Sequence, residues 1–77
     1  MTGARIRELR EAAGLTQRVV AAEMCRRMVG GWAQSKLCAI EKGKRPLDPD
    51  DYHELVLAIS AIIDRRTADY ERARLKS

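Results

Sequence analysis

Apolar residues recur at helical spacing in four stretches of the chain. Ile6, Leu9 and Ala13 repeat every three or four positions and predict a helix from about Gly3 to Ala13. Thr2 is available to cap it. Gly14 can end it, because glycine enters the left-handed conformation of a helix C-terminus cheaply. Leu15 then turns back toward the core, and Thr16 is a good N-cap for a second helix from Gln17. Its stripe is Val20, Ala21, Met24 and Met28, continuing to Val29 before Gly30-Gly31 breaks it.

A third stripe, around Leu37 and Ile40, predicts a helix from about Ala33 to Lys42, ended by Gly43 and followed by the basic loop "KGKRPL". The fourth helix has the clearest start. Asp48 is placed to cap it, Pro49 suits the first helical position, and Asp50 and Asp51 complement the helix dipole. Leu47 and Tyr52 have the spacing of a hydrophobic staple. Tyr52, Leu55, Val56, Ile59, Ile62 and Ile63 form its expected buried side. No glycine or proline follows, so helix can continue through "DRRTADYERARLKS" with Tyr70 on a related face.

Strand-like alternation is absent, and five glycines and two prolines are too few for a turn-rich sheet protein. The expected fold is therefore all-α, a compact bundle of four to five helices. Seventy-seven residues make one small domain, which buries only about 60% of the surface its unfolded chain exposes. We divide it into a main domain, 1–63, and a C-terminal helical extension, 64–77, which could serve in dimerisation.

Charge narrows the picture. The chain carries +4 at pH 7. Six basic and three acidic groups give +3 over residues 1–30, four and three give +1 over 31–50, and five of each cancel over 51–77. The excess lies in the first two thirds, as a polyanion-binding surface requires. On charge alone a solvated, mildly basic surface is the simpler reading. The charged opening "MTGARIRELREAAG" is no signal peptide, and no apolar run approaches membrane-spanning length. Cys25 and Cys38, with His53 as the one further soft ligand, cannot make a four-ligand zinc site, and we expect reduced thiols and no metal. No arrangement of Ser, His, Cys or acids supports catalysis, so neither an enzyme nor a cofactor is expected.

The third helix carries the most information. Stepped at about 100° per residue, Ile40 and Ala33 fall on the side of Leu37, toward the core. Ser35, Ala39 and Lys42 fall opposite, flanked by Lys36 and Cys38, with Gln34 at the exposed tip. Short side chains let a backbone sink into a groove about 12 Å wide, and Gln and Ser can bond base edges. A plain surface helix with a mixed face accounts for the pattern equally well. Glu41 shifts the balance, since it lies only about 40° from the apolar stripe, where an unpaired carboxylate is costly. It needs a cation from another helix, and Arg10, next to Leu9, is the natural partner.

The stretches "LREAAGLTQ" (9–17), "VAAEM" (20–24) and "SKLCAIEKGKR" (35–45), with the apolar pattern of the fourth helix, resemble the Cro/lambda-repressor-like (XRE-type) helix-turn-helix proteins of phages and bacteria. The resemblance implies a lambda-repressor-like bundle whose second and third helices form the helix-turn-helix. It implies that Gln34 and Ser35 read bases, with Ala39 and Cys38 on the same face. Gln17, Lys44 and Arg45 would hold phosphates. Lys36 and Lys42 flank the reading face and suit either phosphate or plain solvation, with phosphate favoured. Arg10 and Glu41 occupy the family's salt-bridge positions. The sequence departs from the family at "CRRMVGG", which replaces a tight turn around one glycine and suggests a second helix longer by more than a turn. Ala33 also lacks the usual hydroxyl cap, so Gly31 or Trp32 is an alternative start for the third helix.

Trp32 is expected in the core, and His53 on the surface of the fourth helix. Arg26 and Arg27 suit either phosphate or the dipole of a helix C-terminus equally. The expected function is a small Cro-like repressor, cytoplasmic and nucleoid-associated. It would bind a double-stranded DNA operator as a homodimer, with no membrane association and no small-molecule ligand. An antitoxin or recombination accessory factor on the same fold, or a protein-interaction module using the last helix, are the alternatives.

Overall fold

The computed structural model describes residues 3–28 and 31–76. Four helices occur among them: α1 (Gly3–Ala12), α2 (Gln17–Arg27), α3 (Gln34–Glu41) and α4 (Pro49–Lys76). Thr2 and Val29, assigned above to a cap and to a stripe, lie outside the described residues. No described helix is long and apolar enough to cross a membrane.

The boundaries follow local chemistry. Ala13 lies just past α1, although its N–H still reaches Leu9 O at 3.2 Å, and Gly14 turns the chain at φ 70°. Thr16 caps α2, its hydroxyl accepting from Val19 N–H at 3.2 Å. Gly43, at φ 76°, takes the chain away from α3. Asp48 O accepts the N–H of Tyr52 at 2.9 Å in the opening turn of α4, which then runs unbroken to Lys76.

One core joins the four helices. Ile6, Leu15, Val20, Met24, Trp32, Leu37, Ile40, Leu55, Ala58, Ile59 and Ile62 are buried together, with Leu9, Met28, Leu47, Tyr52 and Val56 packed around them. Leu47 and Tyr52 thus meet the core from either side of the α4 start. Ile63 was expected inside but is 41% exposed, whereas Ala58, which the pattern passed over, is fully buried. The inward face of α4 is centred closer to Ala58, Leu55 and Ile62 than the first apolar residues suggest. Beyond Ile62 every described side chain of α4 is exposed.

A close approach fixes α1 against α3. A Cβ on Gly3 would lie 1.8 Å from Ile40 O and 2.6 Å from Ile40 C. Only glycine permits this contact.

Candidate nucleic-acid interface

α3 has eight residues, too few to be stable alone. Neighbours hold it. Leu37 and Ile40 are buried beneath it, and Trp32 is buried just before it at 5% exposure. The helix begins after Ala33, which is its N-cap (φ −90°, ψ 152°) and makes no side-chain cap hydrogen bond. Ala33 is therefore exposed and outside the helix, not core-facing as the wheel placed it. The alternative starts at Gly31 or Trp32 are likewise not taken, because both precede the cap. Sequence periodicity does not register where a helix begins, so an Ala just before the start was counted as part of the stripe.

The rear of α3 is clasped through Glu41. Arg10 Nε donates to Glu41 Oε2 at 2.8 Å and Arg10 Nη2 to Oε1 at 2.9 Å, a bidentate pair between α1 and α3. Arg10 Nη1 also donates to Leu15 O at 2.8 Å, tying the α1–α2 turn into the same group. Gln17 Nε2 adds a third bond to Glu41 Oε1 at 3.0 Å. The Glu41 side chain is only 2% exposed. Burial alone would raise its pKa, but hydrogen bonds from Arg10 and Gln17 and the charges of Arg10 and Arg7 outweigh it and hold the carboxyl below its ordinary range. The Arg10 guanidinium is shifted upward, chiefly by its hydrogen bond to Glu41.

The connection between α2 and α3 is built differently from a tight single-glycine turn. α2 stops at Arg27, three residues past Met24 and so just short of a further turn. Met28 then leaves it in an extended conformation (φ −123°, ψ 136°). The expected extension of more than a turn is thus shortened, with β-branched Val29 and two glycines following in the sequence. Gly31 has φ 76°. The Cys25 thiol latches the far side: Trp32 N–H donates to Cys25 Sγ at 3.0 Å, and Cys25 Sγ donates to Trp32 O at 2.8 Å. Both cysteines are free thiols. Among the described residues no cluster could hold a metal ion.

On the outer side, Gln34 and Ser35 are exposed at the open tip of α3; Lys36 N–H donates to Ala33 O at 3.1 Å, and with no side-chain cap the N–H groups of Gln34 and Ser35 are left to solvent or a ligand. Lys42, Lys44 and Arg45 are exposed around the end of the helix. Cys38 and Ala39 are half-buried, less prominent than the wheel implied. Gln17 is half-buried at the start of α2, its amide engaged with Glu41. Lys36 is half-buried with its Nζ 4.0 Å from the centroid of the Trp32 ring, a cation–π contact.

The pattern passed over one buried charge. Glu23 on α2 is 7% exposed and pairs with Arg65 of α4 and, at 3.6 Å, with Arg26. Glu23 lies beside Val20 and Met24 on the helical wheel of α2, the same sequence signal of a buried charge that Glu41 gives on α3. Arg27, weighed above as a phosphate ligand, pairs with Glu54 of α4 at 3.2 Å.

No curated protein and no solved structure matches the chain. The model of a helix-turn-helix domain family matches residues 2–61, which span all of α1 to α3 and the first part of α4. With α2 and α3 joined by a latched turn and α3 presenting a polar tip above a buried rear, the chain belongs to the helix-turn-helix domain family of DNA-binding regulators.

Proposed function

We propose that the protein binds double-stranded DNA sequence-specifically and acts as a small Cro-like repressor by occupying its operator. The observation that carries this reading is the exposure of Gln34 and Ser35 on a helix whose other side is fully packed. The first turn of α3 enters the major groove, where Gln34 and Ser35 bond base edges and Ala39 and Cys38 border the same face. Lys42, Lys44 and Arg45 hold phosphates on one flank, Lys36 on another. Gln17 binds phosphate from the α2 N-terminus, its amide fixed in direction by Glu41.

One such domain makes few contacts, so two copies bind a two-fold site. Residues 64–77 extend the domain formed by residues 1–63, and the outer face of α4, with Ile63, Tyr70 and Leu75 exposed, supplies the dimer surface. The working location is the cytoplasm, at the nucleoid.

Selecting bound duplexes from a random DNA pool tests the reading. It predicts an enriched palindrome with half-sites about one helical turn apart. A pool that stays random, with binding that vanishes at moderate salt, would leave only non-specific affinity. An adjacent toxin or integrase gene would favour the antitoxin or recombination role on the same fold.

A further inference from the structure

Lys36 differs from the other cations around α3. Lys42, Lys44 and Arg45 are exposed, whereas Lys36 is half-buried with its ammonium over the Trp32 ring. Among the described residues it forms no ion pair with a carboxylate. We propose that Trp32 is a positioning residue for DNA binding: its indole face seats the Lys36 ammonium on the flank of α3, ready to meet a backbone phosphate. The inference rests on the reading of α3 as the groove-facing helix.

Three observations carry it. The seat is rigid, because Trp32 is 5% exposed and its backbone N–H and C=O are both held by the Cys25 thiol. The cation keeps its donors, because an ammonium has three N–H groups and the ring covers only one side of it. The place is suitable, because Lys36 follows Gln34 and Ser35 in the same helical turn, and the flanks of a helix in the major groove face the phosphate rims. A lysine reaching from solvent surrenders more rotamer freedom than almost any other side chain. One already seated on a ring surrenders less, so the binding-competent fraction is larger before DNA arrives.

Trp32 is the single tryptophan of the chain, so fluorinated tryptophan replaces this one ring. Stepwise fluorination weakens the negative face of the indole with little change in shape. The full chain, carrying Trp or its mono-, di- or trifluoro form, is titrated with a duplex from the random-pool selection over a range of salt. The same series is run on Lys36→Met. The expected result is a loss of affinity that grows with fluorine count to about three-fold in the unmodified chain and is absent in Lys36→Met. Lys36→Met itself lowers affinity and reduces the salt slope by about 0.9. Equal losses in the two backgrounds, no loss in either, or an unchanged slope in Lys36→Met would overturn the inference. A chain that binds no duplex would instead overturn the function proposed above.

Discussion

α3 and the last fourteen residues of α4 are both helical for opposite reasons. α3 is short, lacks a side-chain cap and has a mixed composition, yet Leu37, Ile40 and Glu41 are all buried. Its helicity is imposed by tertiary packing. The α4 segment past Ile62 buries no described side chain and is continued from a well-started helix, with Arg65 reaching back to Glu23 as its tie to the bundle. Mutations in the two regions therefore act differently. Changes behind α3 alter the fold and the proposed reading face together, whereas changes on the outer α4 face leave the fold and bear only on the proposed dimer surface.

The largest effect is expected at the clasp. Arg10→Ala leaves Glu41 buried with Gln17 alone, and chemical denaturation is expected to show a loss of about 3 kcal/mol. Replacing both partners by apolar residues of similar size, Arg10→Met with Glu41→Leu, is expected to recover most of it. The pH profile carries the same signature. Because the folded Glu41 pKa is lowered, its contribution is complete above the unfolded carboxyl value of about 4.3 and fades as pH falls through the folded one. Arg10→Ala flattens that part of the profile. An unchanged melting temperature in Arg10→Ala would remove the clasp from the account.

Gly3→Ala comes next. The added methyl meets the backbone of Ile40, which no rotamer change relieves. A loss of about 2 kcal/mol is expected, and wild-type stability would mean that α1 shifts freely against α3. Arg65→Ala sharpens the contrast from the other side. Glu23 keeps Arg26 near it, so about 1 kcal/mol is expected, with faster amide exchange confined to α4 beyond Ile62. Tyr70→Ser and Leu75→Ser lie at the small end, changing the stability of the dilute chain by less than about 0.5 kcal/mol. Sedimentation at high concentration reads their effect on dimerisation, and an unaltered dimer would move the interface elsewhere.

The elements were readable where one local rule governs them. Thr16, Gly14 and Gly43 marked ends that the structure keeps, and the position of Glu41 beside Leu37 and Ile40 required a cation that Arg10 supplies. Context decided the rest. Ala33 was placed in the core because periodicity does not say where α3 starts, and Ile63 because a long helix rotates past the bundle. Gly3 read as an ordinary helix start, since the backbone it touches is thirty-seven positions away. The Cys25 latch and the Lys36–Trp32 contact depend on where the chain returns Trp32 between α2 and α3, which no spacing rule gives.

The proposed function turns on the open tip of α3 touching bases while the rest of the helix is anchored. Affinity of Gln34→Ala and Ser35→Ala, alone and together, for a selected duplex and for unrelated DNA at moderate salt tests it most directly. Melting temperatures like the parent, a loss of about ten-fold or more on the selected site, and little change on unrelated DNA are expected. Undiminished affinity for the selected duplex in the double variant would contradict it.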